Sequence, residues 1–215
     1  QKLEIPKGSL HPILKTMQAM NFIRMNDNGN YTIGQAAYFV GSSYTKNSDL
    51  LQEIDYVLKN LSSAVNQTAY FSVLSGGEVL YLLEERVATP ITIQAKRGYK
   101  YPAYATGIGK ALLSGKTEKD IKTLYPEGLY KLTEHTIDDF DTLFLNRWKR
   151  RKNSGYSFEK EESNKDVQCI AVPVKYKENV IAGMSVAVPV FYYSEEFEKK
   201  CNGRTKKWQS NISRN

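Results

Sequence analysis

Two apolar runs late in this chain, Val167 to Lys175 and Val180 to Val188, are separated only by a short polar turn. Strands joined so tightly leave no room for a crossover connection, so they pair antiparallel. Upstream, Tyr70 to Leu74, the Gly76-Gly77 turn and Val79 to Leu83 predict a second hairpin, and Ile91-Thr92-Ile93 predicts a further short strand. Helices fall between and around these strands. Asn47 or Ser48 is placed to cap one whose buried stripe is Leu50, Leu51, Ile54, Val57, Leu58, Leu61 and Val65. Ala105 to Leu113 reads as a loop running into a helix. Thr136, with Asp139 three residues on, predicts the start of another through Ile137, Phe140, Leu143 and Phe144, ending in Trp148-Lys149-Arg150-Arg151-Lys152. Ser194 is expected to cap a last, lysine-rich helix. The order and spacing predict an α+β domain, an antiparallel sheet with flanking helices.

The front of the chain is organised differently. Leu10, Ile13, Leu14 and Met17 recur along one helical face, and His11, Lys15 and Gln18 occupy the other. Asn21 to Met25 and Tyr31-Thr32-Ile33 flank Asn26-Asp27-Asn28-Gly29-Asn30, where Asn-Gly marks a hairpin because both residues tolerate positive φ. A helix followed by a small hairpin is the second half of a winged helix-turn-helix, and equally an ordinary α/β edge with a polar helix face in water. Pro12 lacks an N–H and clashes with a helix already running at Gly8. Either the helix starts late, with Pro12 in its first turn, or it is perturbed at that end. Gln35 to Val40 reads as a short apolar helix ending at Gly41, with Tyr38, Phe39 and Val40 packing on a partner subunit or within the chain.

Composition narrows the function classes. With 215 residues, roughly 70% of the unfolded surface is buried on folding. The chain is 41% hydrophobic and 25% charged, a globular balance rather than a disordered one. No apolar run reaches the ~20 residues needed to span a bilayer, and no signal peptide is read at the front. Cys169 and Cys201 cannot make a disulfide framework, so a reducing, cytoplasmic setting is expected. With His11 and His135 far apart, no zinc motif can be written and no cofactor is expected. A net charge of +7 permits nucleic-acid contact without demanding it. The chain opens on Gln1 rather than Met, which suggests that its true beginning lies further upstream.

Four blocks carry a resemblance. They are Pro6 to His11, Tyr31-Thr32-Ile33-Gly34, Ala105 to Leu113, and Gly155-Tyr156 through Glu161-Glu162 to Cys169-Ile170-Ala171-Val172-Pro173-Val174. In that order they resemble the IclR family of bacterial transcriptional regulators over nearly the whole chain. The resemblance implies a partial winged helix-turn-helix over residues 1–34, a linker helix over 35–46, and a GAF-like effector domain over 47–215. It further implies a homodimer or homotetramer on double-stranded operator DNA, a small organic-acid effector, no membrane association and no enzymatic activity. Repression is favoured over activation because it needs only occupancy. Lys7, Ser9, His11 and Lys15 on the recognition helix and Asn28 at the wing tip become the candidate DNA contacts, Lys15 toward phosphate. The family often carries Arg where this chain has Pro12, which removes a guanine-reading side chain.

On the effector side the resemblance marks Pro90, Ile93, Gly107, Ile108, Glu159, Cys169, Ser185 and Ala187. Thr106-Gly107-Ile108-Gly109 opens a helix, where free N–H groups suit an anion; the same glycines equally serve tight packing of the helix on the sheet. Strand alternation places Cys169, Ala171 and Pro173 on one face, and Ser185 with Ala187 on one face. Glu159 stands where acid-sensing relatives carry Asp, and Ala187 where some carry Ser. A buried Glu159 beside an anion must be protonated or paired. A competing reading is a stand-alone binding module without DNA binding; a remoter one is an enzyme with Cys169 as nucleophile and His135 as base.

Overall fold

The computed structural model describes residues 5–46, 49–87, 100–145 and 155–201. The chain divides into two compact units, Gln1–Glu53 and Ile54–Asn215. The division therefore falls inside a helix rather than at residue 47.

In the first unit, α1 (Lys7–Ala19) is followed by β1 (Ile23–Met25), β2 (Tyr31–Ile33) and α2 (Gln35–Lys46). Of the two alternatives for Pro12, the late start is excluded. The helix begins at Lys7 and is already running when Pro12 arrives, so the Gly8 carbonyl has no N–H four residues on. The apolar stripe of α1 is left largely exposed, Leu10, Ile13 and Met17 included, because no described element of this unit lies over it. The hairpin pairs Met25 with Tyr31, so its loop is the five-residue Asn26–Asn30 rather than a two-residue Asn-Gly turn. Only Gly29 takes positive φ in that loop. The Asn26 side chain accepts from the Asn30 N–H at 2.8 Å. Turn chemistry is thus the work of Asn26 and Gly29, not of Asn28. Gly34 is required where it stands, since a Cβ there would lie 2.0 Å from the Asn21 carbonyl oxygen. The helix expected to stop at Gly41 continues to Lys46, because Gly41 faces open space and costs only its own propensity.

The second unit contains a six-stranded sheet in the order β5-β4-β3-β8-β7-β6, antiparallel at every pairing. Its strands are β3 (Thr68–Ser75), β4 (Glu78–Glu85), β5 (Lys100–Pro102), β6 (Ser157–Lys160), β7 (Val167–Tyr176) and β8 (Asn179–Pro189). The two long strands, though last in the chain, are not the edges of the sheet. β8 sits inside it between β3 and β7, and the shorter β5 and β6 form the edges. Upstream, α3 (Asp49–Val65) buries the predicted stripe, Ile54, Leu58 and Leu61 almost completely. The helix α4 (Gly107–Leu113) lies on β7 and β8, with Ile108 and Leu112 over the bare backbone of Gly183.

Two local expectations change. Thr136 does not cap the helix that follows, which begins at residue 140. Asp139 does, its carboxylate accepting from the Thr142 N–H at 2.7 Å. A short helix absent from the prediction, α5 (Glu118–Leu124), starts at a reciprocal Thr117–Asp120 capping box. Ser194 does cap the last helix, accepting from the Phe197 N–H at 3.1 Å. Asn47, Ser48, the strand at Ile91–Ile93 and the basic run Trp148–Lys152 lie outside the described residues. Among those described, no helix is long and apolar enough to cross a membrane.

Candidate functional site

A cavity opens where the start of α4 meets the inward face of the sheet. Its wall on β7 and β8 comes from Cys169, Ser185 and Ala187. These residues converge because strand alternation and register agree: Cys169 pairs with Ala187, and Ala171 with Ser185. Gly107 and Ile108 supply the α4 side, Tyr70, Tyr81 and Tyr101 the side of β3 to β5, and Ser163 with Asn164 the rim. The space is narrow, about 20 Å³ between its walls and about 370 Å³ when the open solvent at its mouth is counted. Five residues proposed from sequence, Gly107, Ile108, Cys169, Ser185 and Ala187, thus come together. Pro90 and Ile93 lie outside the described residues.

Glu159 differs from expectation. Its carboxylate is fully buried but does not line the cavity. One oxygen accepts from the Glu162 N–H at 2.9 Å and the other from the Ser163 hydroxyl at 3.1 Å. It therefore anchors the loop 161–166 that carries Ser163 and Asn164 to the rim. That loop is held from two further sides. The Thr136 hydroxyl donates to the Glu162 carbonyl at 2.6 Å, and Lys110 on α4 pairs with the Glu162 carboxylate.

Burial pushes the Glu159 carboxyl from 4.5 up to about 7, against the opposing backbone hydrogen bond, with the nearby Glu162 charge adding to the rise. The folded state then binds more protons than the unfolded one between those values. Stability consequently falls as pH rises through that window. Relative to Glu159→Gln, the native protein should lose roughly 2–3 kcal/mol between pH 4 and pH 8. Urea denaturation at both pH values measures this; a pH-independent gap would show Glu159 to be ordinary.

The glycines at the start of α4 answer to packing. A Cβ on Gly107 would lie 2.9 Å from the Cys169 Cβ, and one on Gly109 would lie 2.2 Å from the Ala103 carbonyl oxygen. Thr106 caps the helix, its hydroxyl accepting from the Gly109 N–H at 2.9 Å. The Cys169 thiol is held in its protonated form, pushed well above the usual thiol range by burial and then by Glu159. His135 sits instead on an exposed turn facing Glu134 and Glu161, so the proposed nucleophile and base are not assembled.

The tyrosines and the 161–166 loop were missed from sequence. Val79, Tyr81 and Leu83 alternate inward along β4, a signal that could have found Tyr81. Nothing periodic marks Ser163 or Asn164. In the first unit Ser9, His11, Lys15 and Asn28 are exposed, and Lys7 opens α1. His11 and Lys15 share one face by their spacing of four.

An antiparallel sheet crossed by a helix whose start walls a small cavity, mostly apolar with a few polar groups, defines a domain class built around that cavity. The sequence profile described as bacterial transcriptional regulator IclR C-terminal matches residues 42–214. The chain belongs to the IclR family. It is 27% identical to the HTH-type transcriptional regulator KdgR of Escherichia coli strain K12 over 199 residues, covering 91% of this chain and 75% of that protein. It is 30% identical to the transcriptional repressor IclR of the same organism over 196 residues, 88% of this chain and 71% of the repressor. Among solved structures, an IclR homolog from Microbacterium hydrocarbonoxydans complexed with 4-hydroxybenzoate superposes with a TM-score of 0.78. The sequence identity there is 17%, over 98% of this chain and 88% of the homolog.

Proposed function

We propose that this chain is a transcriptional repressor whose grip on operator DNA responds to a small organic acid held in the cavity beside α4. Family membership across the cavity-bearing unit carries the reading. α1 and the β1–β2 hairpin serve as part of a winged helix-turn-helix, α2 is the linker, and the sheet unit is the GAF-like receptor. The 4-hydroxybenzoate held by the Microbacterium homolog supports an effector of similar size and chemistry here. Tyr38, Phe39 and Val40 on α2 are 70%, 64% and 61% exposed, which supports their burial against a second subunit.

On DNA, α1 presents Lys7, His11 and Lys15 toward the groove while Asn28 reaches the backbone beside it. Lys15, a long flexible point charge, neutralises a phosphate and releases a counterion. Lys15→Ala should weaken binding to all sequences alike and reduce the slope of log affinity against log salt by about one. Fluorescence anisotropy on a labelled operator and on a scrambled duplex across a salt series tests this. A loss confined to the operator would make Lys15 a base reader instead. The regulator reading itself fails if the intact polypeptide ignores duplex DNA at low salt and behaves only as a binding module.

A further inference from the structure

Two hydroxyls that line the cavity make no hydrogen bond within the described part of the chain. Tyr81 is 7% exposed and Ser185 2% exposed, yet neither side chain makes a hydrogen bond to any described residue. Hydroxyls on a cavity wall that spend no bond on the protein can serve whatever enters. The Tyr81 ring is fixed edge-on to Tyr70 at 5.3 Å and to Tyr101 at 6.3 Å, so its phenol is aimed rather than free to search. Burial foremost, then Cys169, holds that phenol in its protonated, donating form.

Asn164 offers a third group. Its amide N–H donates to the Ser163 hydroxyl at 3.3 Å, and that hydroxyl spends its own proton on Glu159. The amide oxygen and its second N–H are left for something else. Because Glu159, Thr136 and Lys110 fix the loop from separate elements, Asn164 is delivered to the rim in one position.

Resting on the receptor reading above, we propose that Tyr81 and Asn164, with Ser185, read the effector, and that the effector is a compact molecule bearing hydroxyl or carbonyl oxygens on more than one side. Tyr81 donates to one such oxygen from the floor of the cavity, Ser185 lies on the β8 wall, and Asn164 both donates and accepts at the mouth. These polar atoms, lining the cavity and making few or no bonds to the protein, are the ones the ligand satisfies. An apolar ring of the same size would leave all three stranded and bind poorly.

The test uses the full chain and matched probes: pyruvate against propionate, gluconate against hexanoate, and 4-hydroxybenzoate against benzoate. Thermal shift screens them and calorimetry gives affinities. At least one oxygen-rich member should stabilise the protein while its stripped counterpart does not. Tyr81→Phe and Asn164→Ala should each weaken that probe roughly tenfold or more. Without ligand, Tyr81→Phe should melt at or above the native temperature, because it removes a buried group that lacked a partner. A purely structural tyrosine would melt lower. Stripped probes binding equally well, no oxygen-rich probe binding, or unchanged affinity in both variants would each overturn the assignment. Binding as expected in a protein that ignores DNA would sustain this inference and sink the regulator reading alone.

Discussion

Lys110→Met is expected to lower the free energy of unfolding by about 3 kcal/mol, far more than loss of a surface ion pair. The Lys110 and Glu162 side chains are only 13% and 10% exposed, so removing the ammonium leaves a carboxylate facing little water and the nearby Glu159. The double variant Lys110→Met/Glu162→Leu should recover most of the loss, since an apolar pair has no charge to strand. Urea midpoints of the four proteins in the cycle measure both effects. A single-variant loss below about 0.5 kcal/mol would show that the pair behaves as an exposed one.

Gly109→Val should cost still more. The new Cβ would lie 2.2 Å from the Ala103 carbonyl oxygen and 2.4 Å from its Cα, both backbone atoms of a fully buried turn. Neither α4 nor that turn can yield without shifting the cavity wall. A loss of about 3 kcal/mol or more is expected. Gly8→Ala on α1 is the control. Nothing lies within 4 Å of a Cβ there, so the change should stabilise that helix by up to about 1 kcal/mol. Circular-dichroism melts compare the two; equal and small effects would mean that α4 has room to move.

What the sequence made legible follows from where a residue's neighbours are. The α3 stripe and the β7–β8 hairpin are written in local periodicity, and both form as read. Register then brings Cys169, Ser185 and Ala187 to one wall with no further information. Errors arose where a local signal had two owners. Thr136 looked like a helix cap, but its hydroxyl holds the Glu162 carbonyl and only Asp139 caps. Gly41 looked like a stop, yet it faces open space inside a helix that continues past it. Glu159 was marked as a ligand contact by the family resemblance; the structure sets it behind the wall, bonded to the backbone and hydroxyl of its own loop and to the Cys169 thiol. Tyr81 reaches the cavity from two strands beyond β8, a convergence that exists only once the sheet is assembled.

On the proposed reading, filling the cavity alters the hold on DNA, and linkage tests this directly. Effector affinity is measured by calorimetry on the full-length protein, alone and saturated with operator; operator affinity is measured with and without effector. The two ratios should be equal and differ from one by at least roughly fivefold. Tight binding of both ligands with each indifferent to the other would contradict it.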